Sequence, residues 1–270
     1  MTQETSAIKT FGIAHGLSWL HAGLRVYGKA PAVWATLALV YLAIGFLLNL
    51  LPFVGRLVMV LLTPLFAAGA FALAAELEQA TPTEPPPTPS PRARARAVAG
   101  LFKQAAGRLF SVSGSLERAL PFMIVGAFAL GGVVFIQILV QSLKVGTHTL
   151  SVLFGGAIAI TALLPTLLGL ITVVAIEIAF AMTLAYVVAL ILFQNLAPLS
   201  ALRVSFTTSL ANTLPLTAFS VPFLLGLGVL QWLFSVVGSY AYIAYFVLGV
   251  TLLPILIAGL YCSHRELHAP

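Results

Sequence analysis

Apolar residues along this chain fall in long unbroken runs instead of alternating with polar ones. A bilayer core about 30 Å thick needs roughly 20 apolar residues in a helix that rises about 1.5 Å per residue. Five runs meet that length: 32–51, 57–75, 120–140, 214–234 and 240–261. A sixth apolar stretch, from Leu150 to Phe193, covers 44 residues. As one helix it would run about 66 Å, twice the bilayer, so the pattern predicts a break. Pro165 is the expected break point, because an interior proline removes a hydrogen bond and clashes with the preceding turn. Residues 166–193 then form the span. Residues 150–164 become a short segment that re-enters the membrane or lies on it. The predicted fold is an all-α bundle with six transmembrane helices.

Three segments between these runs are amphipathic. The first carries Ile13, Leu17, Leu20, Leu24 and Tyr27 on one stripe, with His21, Arg25 and Lys29 opposite. The second, over about 98–118, aligns Phe102, Leu109 and Leu116, with Lys103 and Arg108 off that stripe. The third places Leu199, Leu202, Phe206 and Leu210 together, with Ser200, Arg203 and Thr207 elsewhere. Apolar stripes beside basic residues suit helices lying flat at the headgroups, and suit equally well helices packed on the bundle's end. Between spans two and three, residues 76–97 form a linker. It holds six prolines in ten residues (82–91), followed by Arg92, Arg94 and Arg96. This composition predicts an extended spacer and either a solvated loop or a docking strip for anionic headgroups or a partner.

An amphipathic helix followed by two spans thus occurs three times, and the first and last units share local sequence. Leu24-Arg25-Val26 matches Leu202-Arg203-Val204, and Val54-Gly55 matches Val237-Gly238. Pro64 to Gly69 matches Pro254 to Gly259. Both units enter the membrane from the same side, so a duplication would be parallel, about an axis along the membrane normal.

Composition removes other classes. Only 7% of the 270 residues are charged and 60% are hydrophobic, against about 25% charged in soluble domains. Neither a soluble globule nor a disordered chain fits. A single cysteine, Cys262, excludes an intrachain disulfide. With both ends inside, Lys9, Arg25, Lys29, Arg92, Arg94, Arg96, Lys103, Arg108, Arg118, Arg203 and Arg265 are cytoplasmic, and only Arg56 and Lys144 lie outside. That is a strong positive-inside bias, and a seventh span over 150–164 would weaken it by moving Arg203 and Arg265 outside. No signal peptide is expected. The expected location is a bacterial inner membrane with cytoplasmic termini.

The order of short motifs carries a resemblance. Trp19, Gly23, Arg25 and Pro31 lead into a span, and Leu51-Pro52-Phe53-Val54-Gly55 follows at the outer turn. Pro64 to Gly69, then Ala201-Leu202, Ser205 and Asn212, and finally Tyr261 with Arg265-Glu266 complete the series. The chain resembles a family of bacterial six-span membrane proteins of unknown function. It is more distantly similar to the membrane domain attached to some glycerophosphodiester phosphodiesterases. The resemblance implies the fold and supplies no reaction; no counterpart of the phosphodiesterase catalytic domain is expected, since spans and connectors account for these residues.

Candidate chemistry is sparse. Glu177 is the only acid inside a span. A central acid costs roughly 2.5 to 3.5 kcal/mol, and the sixteen Leu, Ile, Val and Phe residues of 166–193 offset it with about −8 kcal/mol at roughly 0.5 each. Glu177 shares a four-residue stripe with Gly169, Val173, Ala181 and Ala185, so it is expected to face the bundle. It is read either as a proton- or cation-coupling residue or as a structural carboxyl hydrogen-bonded across helices. Gln137, Gln141, Asn49 and Gln231 are candidate partners, and Gln137, Gln141, Asn49 and Asn212 candidate polar lining. Arg25, Lys29, Arg92, Arg94, Arg96, Lys103, Arg108 and Arg203 are expected to face headgroups. Asn195 and Asn212 flank the third amphipathic helix and suit helix capping or a polar entrance. His264 and His268 could share a helical face, with His15 and His21 on the same side, as a chelating group or simply as a polar tail, and no metal is assigned. No nucleotide loop, activated nucleophile or carboxylate pair is present, so neither an enzyme nor a cofactor is expected. Nucleic-acid binding is not expected either, because topology explains the positive charge.

Two roles follow from these residues. One is transport of a small solute, ion or lipid with Glu177 as the coupling residue. The other is a non-catalytic scaffold or accessory subunit organising lipid or a partner complex. Membrane lipids are the expected partners, with a homo-oligomer or another membrane protein as further candidates.

Overall fold

The computed structural model describes residues 9–51, 54–79, 100, 107, 115–154 and 159–268. Among them the chain is helical, with no strand. The helices are α1 (Ala14–Lys29), α2 (Pro31–Asn49), α3 (Val54–Gln79), α4 (Leu116–Phe154), α5 (Ala159–Leu184), α6 (Val187–Gln194), α7 (Pro198–Ala211), α8 (Thr213–Val237) and α9 (Ala241–His268). Six segments are long and apolar enough to cross a membrane: α2, α3, the first part of α4, α5 with α6, α8 and α9. The expected six-span all-α bundle is therefore the fold of this multi-pass protein. The linker beyond residue 79, nearly all of the second amphipathic segment, and Arg92, Arg94, Arg96, Lys103 and Arg108 lie outside the described residues.

Pro165 does not break a helix. Helix α5 runs from Ala159 straight through Pro165 to Leu184. Of residues 150–164, those up to 154 belong to α4 and those from 159 to α5, and the remainder lie outside the described residues. Membrane helices absorb prolines, and α3, α8 and α9 likewise continue through Pro64, Pro222 and Pro254. Among the described residues from 159 to 194, the helix is interrupted at Ala185–Tyr186, ahead of α6. Ser205 on α7 makes it possible. Its Oγ accepts the Tyr186 N–H at 3.0 Å and donates to the Met182 carbonyl at 3.1 Å. A side chain thus satisfies backbone groups that the interrupted helix leaves open. Asn195 closes α6 with a left-handed φ of 52°, a conformation Asn tolerates better than most residues.

Small residues set the docking of α1. Its buried face is Gly16, Trp19, Gly23 and Val26. A Cβ on Gly16 would fall on the Pro215 carbonyl, and one on Gly23 on the Gly259 backbone. Backbone-to-backbone approach of this kind is how membrane helices gain packing. Ile13, Leu17 and Leu24 from the predicted stripe stay exposed. One face of this segment packs on α8 and α9, and the face that carries Ile13, Leu17 and Leu24 is exposed.

The packed core lies toward one end of the bundle. Trp19, Trp34, Phe71, Tyr186, Leu190 and Phe219 are buried there together. Toward the other end, Leu50, Val54, Ile138, Leu225, Trp232 and Ile243 are exposed, which suits lipid contact. The sequence-matched positions of the first and last units are buried alike. Pro64 and Pro254, Ala68 and Ala258, and Gly69 and Gly259 are all buried.

Candidate functional site

Polar groups gather first at the core end, where they tie the chain together. Asn212 is fully buried; its side chain accepts the Phe11 N–H at 3.0 Å and donates to the carbonyls of Lys9 and Thr208 at 2.9 and 3.0 Å. Trp19 Nε1 donates to Glu266 Oε2 at 2.6 Å, with His15 Nε2 3.8 Å from the other carboxylate oxygen. Glu78 accepts the Tyr261 hydroxyl at 2.9 Å and pairs with Arg265 at 2.5 Å. Residues near the two chain ends are thus held at one end of the bundle, as an even number of spans requires. The expected capping role of Asn212 takes a long-range form, since the side chain clamps the segment before α1 onto the start of α8.

Lys29 also turns out to be tied to protein. Its Nζ donates to the Leu77 and Glu78 carbonyls at 2.8 and 3.0 Å, where a cation complements the C-terminus of α3. Arg25 and Arg203 are exposed, as headgroup contact needs. His264 and His268 do share a face, with rings stacked 4.6 Å apart. No group of three or more metal-ligating side chains is found among the described residues.

Glu177 does not face the bundle. It is exposed, on the same side of α5 as Ile171, Val174 and Ile178, which are exposed too. The stripe read from sequence winds around the helix, because each step of four residues advances about 40° beyond a full turn. Gly169 sits against Leu143 and Val173 is buried, but by Glu177 and Ala181 the stripe has left the packed face. No hydrogen bond joins Glu177 to Gln137, Gln141, Asn49 or Gln231 among the described residues.

A cavity of about 60 Å³ lies between α2, α3 and α9, near the middle of the latter two helices. Thr63 and Ala67 of α3 line it, and so do Leu253 and Ile257 of α9. These are equivalent positions when Pro64 is aligned with Pro254. On the α2 side are Trp34 and Tyr41. Thr63 Oγ1 donates to the Met59 carbonyl at 2.8 Å and lies 3.2 Å from Tyr41 Oη. With its one proton so used, Thr63 accepts from the Tyr41 hydroxyl. Trp34 is 1% exposed and its Nε1 has no hydrogen-bond partner. A buried unmet donor costs about 1–3 kcal/mol, which a ligand oxygen would recover. None of these residues was singled out from sequence apart from the Pro64–Pro254 match, which was the one available signal.

Gln137 and Gln141, predicted as polar lining, do come together, with Arg56 and Ser142, in a groove between α3 and α4 toward the far end of the bundle. Asn49 and Asn212 are not part of it. No family model, curated protein or solved structure matches this chain.

Proposed function

We propose that this protein is a membrane transport protein for a slender, largely apolar molecule, lipid-like in character, that passes between its first and last helical units. The observation that carries this reading is the cavity shared by Thr63, Ala67, Leu253 and Ile257. Transporters built from repeats place their substrate site near mid-membrane, where the repeats meet. At about 60 Å³ the cavity has room for a few waters or for part of a hydrocarbon chain, and not for a hydrated solute. The unmet Trp34 N–H and the Tyr41–Thr63 pair supply the few polar contacts that would orient such a chain.

In this reading Glu177 is not on the substrate path. Its carboxyl stands among lipid-facing apolar residues, where an isolated acid is costly. We place it against a second copy of the chain, with the acid hydrogen-bonded across the contact. In this reading the bundle sits in a bacterial inner membrane with its core end cytoplasmic, an orientation that the distribution of Lys and Arg supports. The resemblance to six-span bacterial membrane proteins agrees with this placement.

A scaffold role is favoured by one observation, the exposed Ile13, Leu17 and Leu24 of α1 beside the exposed Arg25. That face could organise lipid without transport. Reconstitution separates the two readings. Vesicles containing the wild type and a short-chain fluorescent phospholipid should show exchange between leaflets. Ala67→Phe, which fills the cavity, should abolish exchange while thermal unfolding in detergent is retained. Absence of exchange in the wild type would leave the scaffold reading.

A further inference from the structure

The groove between α3 and α4 is separate from the cavity and has a graded chemistry. The two helices touch where a Cβ on Gly126 would meet the Leu61 backbone. Beyond that contact they part, toward the end of the bundle away from the termini, leaving a groove of about 960 Å³. Its deep part is apolar, with Val60 facing Leu130 and Val134. Its rim is polar, with Arg56 from the first turn of α3 and Gln137, Gln141 and Ser142 from α4. From Leu130 to Gln141 the helix rises about 16 Å, the depth of one leaflet of a core about 30 Å thick.

We propose that this groove is a binding site for one anionic phospholipid of the leaflet at that end. An acyl chain lies along Val60, Leu130 and Val134, and the phosphate meets the Arg56 guanidinium. The two glutamine amides and the Ser142 hydroxyl donate to the remaining phosphate and ester oxygens. Three features support this occupant over a protein helix. The groove is one leaflet deep, its charge is confined to the rim, and that charge is positive. Guanidinium recognises phosphate with paired, charge-assisted hydrogen bonds. Arg56 is one of only two Lys or Arg residues that the charge distribution assigns to this end, so a general basic surface does not explain it.

Native mass spectrometry of the full-length protein in mild detergent tests the site, with phosphatidylglycerol and phosphatidylcholine of identical chains as probes. The wild type should retain one phosphatidylglycerol about tenfold more tightly than phosphatidylcholine, as expected from one charge-assisted contact. Arg56→Gln should erase that preference and Arg56→Lys should restore part of it. Val134→Trp, which fills the deep part of the groove, should weaken both lipids. Both positions are exposed, so folding should survive, and an unchanged unfolding temperature without added lipid would show it. Equal retention of the two lipids by the wild type, or a preference that survives Arg56→Gln, overturns the proposal. So does displacement of the lipid by millimolar inorganic phosphate, which would make the site one for the free anion. None of these outcomes depends on whether the cavity transports anything.

Discussion

The backbone of Gly259 in α9 occupies the space that a side chain on Gly23 in α1 would need. This contact docks the amphipathic first helix onto the last transmembrane helix, and it brings Trp19 Nε1 within 2.6 Å of Glu266. The fold is closed on itself at this point, first helix to last.

Gly23→Leu should therefore separate α1 from α9. Overpacking a close contact costs about 1–3 kcal/mol, and more where backbone rather than side chain must move. Thermal unfolding in detergent should shift down. Trp19 fluorescence should shift to the red as the indole, now 1% exposed, meets solvent. Gly28→Leu, at a site with open space, should do neither.

Ser205→Ala should destabilise the break between α5 and α6. The Tyr186 N–H is buried and Ser205 Oγ is its partner, so its loss costs about 1–3 kcal/mol. Hydrogen exchange at the Tyr186 amide should accelerate. Ser200→Ala, on the exposed side of α7, should leave stability unchanged.

Asn212→Leu should release the segment before α1. Three hydrogen bonds to Lys9, Phe11 and Thr208 would be lost together. Exchange at the Phe11 amide should rise and trypsin should cut after Lys9 sooner. The transmembrane helices should keep their far-ultraviolet signature.

Glu177→Leu should lower the dimer fraction measured by light scattering or by energy transfer in vesicles, because the acid on the lipid-facing side of α5 loses its reason to pair. Glu177→Gln puts in its place an amide able to donate and accept, and should keep the dimer. A wild type that is monomeric at all protein-to-lipid ratios, or a Leu variant that dimerises equally well, would refute the second-copy contact.

The six spans, the even crossing number and the amphipathic α1 could all be read from residue order. Each depends on a local quantity: twenty apolar residues fill a bilayer wherever they occur. The match of Pro64 to Pro254 was equally legible, and the structure buries both. Pro165 misled, because the cost of a proline is local but its consequence is not. Helix α5 carries it, while the break at Tyr186 depends on Ser205, nineteen residues away. Glu177 misled for a related reason. Four-residue steps drift about 40° around a helix each time, so a stripe that starts at the packed Gly169 and Val173 has left that face by Glu177.

Residue order alone thus determined the class of this protein, its spans and the distribution of its charge, since partition into lipid is decided by each segment's own composition. Only the tertiary structure decided where the chemistry lies. A cavity exists only when α2 meets α3 and α9, and a groove only where α3 and α4 diverge. Trp34, Thr63 and Arg56 acquire meaning from residues far from them in the chain, and packing geometry, which no local pattern encodes, is what brings them together.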